Sequence, residues 1–157
     1  MHHARGFTLI ETIVYIALFA LMLTTVVLAV FQVLQGSAQV NGRATIQDEE
    51  NFVLRKIDWA LGSIDPTKAF TPSVGYSTTL SLTRYGDSQP VIIRINGTKV
   101  EMSEDGGTTY LPITTGNVTV TQLGFGYIAP TGTGPAGITA STTISGLVAS
   151  TTKYIRN

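Results

Sequence analysis

Side chains able to do covalent or acid–base chemistry are scarce in this chain. It contains no Cys, which excludes a disulfide framework and thiolate metal sites. Its two imidazoles are His2 and His3, so none is available in the body of the protein to activate a Ser or Thr hydroxyl or to hold a metal. Both are read as native, because expression tags carry longer His runs. A phosphate-binding loop ends its glycines with Lys and then Ser or Thr, and the stretch Gly132–Gly137 lacks that ending. Asp87, Glu104 and Asp105 offer the hard oxygens that calcium takes, but EF-hand spacing is absent and a solvated hairpin tip is the plainer reading. Arg84, Arg94 and Lys99, or Lys153 and Arg156, could contact a nucleic-acid backbone. Isolated basic residues on strands more often act as solubilising edge charges, so nucleic acid is a possible partner without support. Tyr76, Tyr85, Tyr110, Tyr127 and Trp59 suit core or edge positions. No catalytic residue, cofactor or metal is expected. One acid stands apart: Glu11, inside an apolar run.

The run around Glu11 sets the organisation of the chain. Lys plus Arg equals Asp plus Glu at 10 each, so net charge points to no partner. Charged residues make up only 13% of the chain, about half the usual 25%, and none lies between Glu11 and Arg43. Residues 12–31 read TIVYIALFALMLTTVVLAVF. At 1.5 Å per residue such a helix spans roughly 30 Å, the hydrocarbon thickness of a bilayer. The remaining chain is too small to enclose a helix that is apolar on every face, so a membrane-inserting segment is expected. Arg5 and the N-terminal amine precede it and favour a cytoplasmic N-terminus. Gly36-Ser37-Ala38 would suit signal peptidase, but a secretory h-region runs only about 7–15 residues, and this run extends from Phe7 to about Leu34. An ionised carboxylate near the start of such a helix is costly, at about 2.5–3.5 kcal/mol if it were central. It therefore demands a cationic partner.

Residues 5–11 read Arg-Gly-Phe-Thr-Leu-Ile-Glu. With the apolar run that follows, this resembles the prepilin signature of type IV pilins and type II secretion pseudopilins, over roughly the first 35 residues. The resemblance implies a leader, residues 1–6, removed by prepilin peptidase between Gly6 and Phe7, with Phe7 then N-methylated. Glycine suits a cut site because its backbone can lie close in a protease. It also implies that Glu11 pairs with the N-terminal amine of a neighbouring subunit, since a buried carboxylate is tolerable only when paired. Snorkelling of Glu11 to the headgroups is the alternative. The implied partners are other pilin or pseudopilin subunits, prepilin peptidase, the inner-membrane assembly platform and membrane lipid. The implied location is the bacterial cytoplasmic membrane, then a periplasmic or cell-surface filament. Some pseudopilins bind calcium. Major pilins often carry Pro or Gly within the apolar segment, and residues 12–35 have neither, which points to a minor pilin or pseudopilin. A minor or tip pilin that binds DNA, surfaces or secreted cargo is the alternative function.

Beyond Leu34 the helical period continues. Ile46, Val53, Ile57, Ala60 and Ile64 form one stripe, and Phe52, Leu54 and Leu61 widen it. Asp65-Pro66 should stop the helix, and Gly36 and Gly42 weaken it. Residues 36–65 are thus read as an amphipathic half following a transmembrane and filament-core half, 7–35. A β-rich domain is expected over 67–157, with strand candidates Thr79–Tyr85, 90–95, 98–102, Thr109–Ile113, Val118–Tyr127 and Ile138–Val148. Asn96-Gly97 suggests a two-residue type I′ hairpin, and Glu104–Gly107 a second turn. The expected class is α+β, with the amphipathic half of a long N-terminal helix packed on an antiparallel sheet of five or six strands, in a pilin-like arrangement.

Overall fold

A computed structural model describes residues 8–155. Among the described residues the chain forms one long helix, α1 (Leu9–Gly62), followed by eight antiparallel strands, an α+β, pilin-like arrangement. It divides into two compact units, residues 1–43 and 44–157.

From Thr12 to Phe31 α1 carries only apolar side chains and a few hydroxyls. Thr24 Oγ1 donates to the Ala20 carbonyl at 2.8 Å, and Thr25 Oγ1 to that of Met22 at 2.8 Å. These back-bonds leave no hydroxyl seeking water, as an apolar environment requires. The helix runs through Gly36 and Gly42 without interruption.

In the second unit Val53, Ile57 and Ala60 are completely buried, and Leu61 and Ile64 nearly so. At 3.6 residues per turn these share one face, whereas Phe52 falls about 120° from its centre. Phe52 is accordingly 41% exposed, so it does not widen the stripe as its hydrophobicity suggests. The helix ends at Gly62, two residues before Ile64. Ile64 already bridges to Arg84, the Asp65 N–H donates to the Thr83 carbonyl at 2.9 Å, and the Tyr85 N–H to the Ser63 carbonyl at 2.9 Å. Pairing with the sheet takes over before proline can act.

The strands form two four-stranded sheets instead of the single sheet expected. One has the order β2 (Thr79–Leu82), β3 (Val91–Asn96), β4 (Lys99–Ser103), β5 (Leu111–Pro112). The other has β1 (Tyr76–Ser77), β6 (Val120–Ile128), β7 (Gly137–Ile144), β8 (Leu147–Tyr154). Strand β6 lies against β2, β3 and β4 and joins the two. Phe125, Leu123 and Val120 of β6 share one core with Leu80, Leu82, Ile93 and Val100 of the first sheet and with Val53 and Ile57 of α1. A bulge between Val120 and Gln122 shifts the phase of β6, so that both Val120 and Leu123 face inward.

Two turns differ from expectation. Asn96 pairs with Lys99, so the β3–β4 loop is Gly97-Thr98, with φ 60° at Gly97. Glycine at the first loop position is the type II′ pattern. A type I′ loop at Asn96-Gly97 would set Arg94 opposite Lys99, like charges across the ladder. The observed register sets Arg94 opposite Glu101, 3.2 Å away, with Asn96 Nδ2 donating to the same carboxylate at 2.9 Å. A two-residue hairpin loop with both residues at positive φ forms at Ser145-Gly146, at 49° and 87°. It splits the expected strand 138–148 into β7 and β8. The expected strand 109–113 shrinks to two exposed residues of β5.

Ile57, fully buried at the centre of the stripe, should report whether α1 closes the core. Ile57→Ala is expected to cost the second unit about 2–5 kcal/mol, measured by urea unfolding of the detergent-solubilised chain. Phe52→Ala, on the exposed face, should cost less than about 1 kcal/mol.

Candidate functional site

The N-terminal end of α1 is built around Glu11. Thr8 stands at the N-cap and its Oγ1 accepts the Glu11 N–H at 3.3 Å, the backbone half of a capping box. An acid in the first turn also complements the partial positive charge of the helix start. One turn on, Tyr15 Oη donates to Glu11 Oε1 at 3.3 Å. Thr8 and Tyr15 are site residues that the reading of Glu11 alone overlooks. The Thr-x-x-Glu spacing and the i, i+4 separation of Glu11 and Tyr15 would have found them. Glu11 is half-buried amid exposed neighbours, and among the described residues no cationic side chain pairs with it. Gly6 and Phe7, the expected cleavage and methylation residues, lie outside the described residues, as do His2, His3 and Arg5.

From Leu9 to Leu34 every large apolar side chain is exposed, from 45% at Val27 to 79% at Leu9. The most apolar window of α1 has a mean hydropathy of 2.7 with none of it buried. This is a candidate membrane-spanning segment by length and composition.

The other candidates are drawn into structure. Arg84 lies 3.9 Å over the Trp59 ring and 3.5 Å from Asp87. Arg94 lies 3.5 Å over the Tyr110 ring and bonds Glu101. Those two guanidinium groups are committed within the fold. Lys99 and Lys153 are exposed. Lys153 lines a cleft of about 300 Å³ with Gly62, Ile64, Tyr85 and Tyr154, at the carboxyl end of α1, where a cation complements the helix dipole. Arg156 lies outside the described residues. Tyr76, Tyr85 and Tyr154 are more than half exposed, and Tyr127 packs near Phe70. The Tyr76 ring covers Gly124 across the β1–β6 pair, where a Cβ would collide with it.

Among the described residues no group of three or more His, Cys, Asp or Glu side chains comes together. The Glu104–Gly107 tip is instead organised by Asp105. Its Oδ1 accepts the Thr109 N–H at 2.9 Å and the Ser103 hydroxyl at 2.7 Å, and Ser103 Oγ accepts the Gly107 N–H at 2.8 Å. The Thr109 amide first, then Ser103, lower the Asp105 pKa to about 2.

A bare apolar helix that opens on a capped acid and continues into a sheet-bearing unit defines a membrane-anchored α+β protein. The N-terminal residues specify its kind: the family model described as the prokaryotic N-terminal methylation motif matches residues 1–30. That motif is typical of type IV pilins and pseudopilins, and it marks a substrate of prepilin peptidase. No curated protein and no solved structure has a significant match to the chain.

Asp105 yields a pH prediction. Its pKa is depressed in the fold from 3.8 to about 2, so its contribution is complete above the unfolded value and fades as pH falls through the folded one. Asp105→Ala should lower the melting temperature at pH 6. The difference from the parent should shrink between about pH 4 and pH 2 and vanish below it.

Proposed function

We propose that the chain is a structural subunit of a type IV pilus or pseudopilus. It is stored in the membrane through α1, cut between Gly6 and Phe7, methylated at Phe7 and assembled by helix packing. One observation carries the reading: the methylation motif at residues 1–30 coincides with the start of a helix whose most apolar window has none of its residues buried. On this reading residues 1–6 are the leader, 7–35 the membrane and filament-core half, 36–65 the amphipathic half and 67–157 the β-rich domain. The N-terminus faces the cytoplasm, and the sheet-bearing unit lies outside until the subunit leaves the bilayer for the filament. The role is structural and not catalytic, and the partners are other subunits, prepilin peptidase and the assembly platform.

Glu11 receives the assembly role. Its carboxylate holds a phenol hydroxyl but no cation among the described residues. Cutting after Gly6 would create an ammonium close to the same depth on a neighbouring helix. Pairing would offset the cost of a carboxylate in apolar surroundings. The unbroken helix through residues 12–35 favours a minor subunit or pseudopilin. With Arg84 and Arg94 folded against rings and carboxylates, nucleic acid gains no support as a ligand.

Mass spectrometry of the mature protein should find N-methylated Phe7 as the first residue. An N-terminus at Gln39, or Met1 retained in assembled material, would refute the processing. Glu11→Ala should leave the chain in the membrane fraction while lowering its recovery in sheared filaments about tenfold or more, the loss expected for an unpaired buried charge. Wild-type recovery would sink the pairing role.

A further inference from the structure

Asparagine is a chemically labile side chain, and its lability depends on the residue that follows. The chain carries two Asn-Gly pairs, Asn41-Gly42 and Asn96-Gly97. In such a pair the next residue's main-chain nitrogen can attack the side-chain amide, because glycine puts no Cβ in the way. Asn51 and Asn117 precede Phe52 and Val118, whose side chains crowd that nitrogen. The fold separates the two pairs. Gly42 lies inside the continuous helix α1, so its N–H is held by the carbonyl four residues back. Gly97 is the first loop residue between β3 and β4, and its N–H makes no hydrogen bond among the described residues. A Cβ added there would meet nothing within 4 Å, and Asn96 itself is exposed. The attacking nitrogen is free and uncrowded at Asn96 and tied up at Asn41.

The Asn96 side chain is nevertheless restrained. Its Nδ2 donates to Glu101 Oε1 at 2.9 Å. Glu101 stands opposite Arg94, which precedes Asn96 by two residues on β3. The amide is therefore drawn back along the strand, away from the Gly97 nitrogen ahead of it. Glu101 is fixed in turn: Arg94 Nη2 lies 3.2 Å from its Oε2, and only 17% of its side chain is exposed. We propose that Asn96 is a site of spontaneous deamidation and that Glu101 is the latch that delays it. In the reaction the Gly97 nitrogen bonds to Asn96 Cγ and the Cγ–Nδ2 bond breaks. The Gly97 proton departs with the amide nitrogen as ammonia, leaving a cyclic imide. Water then opens the imide at either carbonyl, which puts aspartate or isoaspartate at position 96. Neither product has a donor for Glu101, so the latch cannot re-form. A chain of balanced formal charge gains one negative charge. Isoaspartate also inserts a main-chain carbon beside a two-residue loop whose geometry matches the strand twist. The change runs one way, needs only water and does not depend on assembly into a filament.

Full-length, detergent-solubilised chain is held in neutral buffer, sampled at intervals, digested and read by mass spectrometry for conversion at both asparagines. Asn96 should convert about fivefold or more ahead of Asn41, whose glycine nitrogen must first leave a helix hydrogen bond. When the chain is digested first and incubated afterwards, the two rates should converge. Glu101→Ala should speed conversion of Asn96 about tenfold, the worth of a hydrogen bond to a charged group, and leave Asn41 unchanged. Arg94→Ala removes the same ion pair but leaves the carboxylate to hold the amide, so Asn96 should convert at close to the parent rate. Asn41 converting as early as Asn96 in the intact chain would overturn the site. So would an Asn96 that stays intact in the folded parent and in Glu101→Ala while the digest converts. An Asn96 rate unchanged by Glu101→Ala, or raised equally by Arg94→Ala, would overturn the latch, since loosening of the hairpin alone would then account for it.

Discussion

An apolar helix with every large side chain exposed from Leu9 to Leu34 is the constraint to which the rest of the molecule answers. Each exposed apolar side chain forgoes about 1.5–3 kcal/mol of burial, and nothing within the first unit covers any of them. The segment therefore belongs in lipid or among other helices. Only those two environments accept it, and neither tolerates free polar groups. This explains why the Thr24 and Thr25 hydroxyls bond back to the helix and why Glu11 sits at the capped end and not in the middle. The same constraint makes Glu11 informative: it is the one charge that the segment retains.

In its second stretch the same helix meets the opposite requirement. Val53, Ile57, Ala60 and Leu61 enter a core shared by two sheets. Polar ties run from the flanks: Glu49 accepts from the Thr115 amide and hydroxyl, and Thr151 donates to Asp58 at 3.0 Å. Carboxylates on either side of the buried stripe thus hold a loop of one region and the edge strand β8. The opposite face carries Phe52 and Trp59, with Lys56 beside both rings and Arg84 over that of Trp59. One helix presents a bare apolar surface in one stretch and a core-facing stripe in the next because its composition changes along its length and, past residue 43, around its circumference.

Much of this was legible from residue order. The motif at residues 5–11, the absence of charge from 12 to 42, and the stripe through Ile57 are local or periodic signals that need no partner to be read. The sheet was less legible. Strand β8 is threonine-rich and exposed along most of its length, so it shows no alternation of buried and exposed residues. Strand β1 has two residues and exists through its pairing with β6. The Asn96-Gly97 signal pointed to the right hairpin and the wrong loop, because Arg94 and Glu101 outweighed the turn preference.

The amino-acid order by itself determined the anchor, the acid at its start, the amphipathic continuation and the β-rich remainder, since each depends on composition or on a period within one element. Tertiary structure alone decided that the strands divide into two sheets joined at β6 and that Arg84 and Arg94 are spent on Trp59 and Tyr110. Those outcomes depend on which distant groups come within a few ångströms of one another. Pairwise burial and charge contacts have no signature in a single stretch of chain.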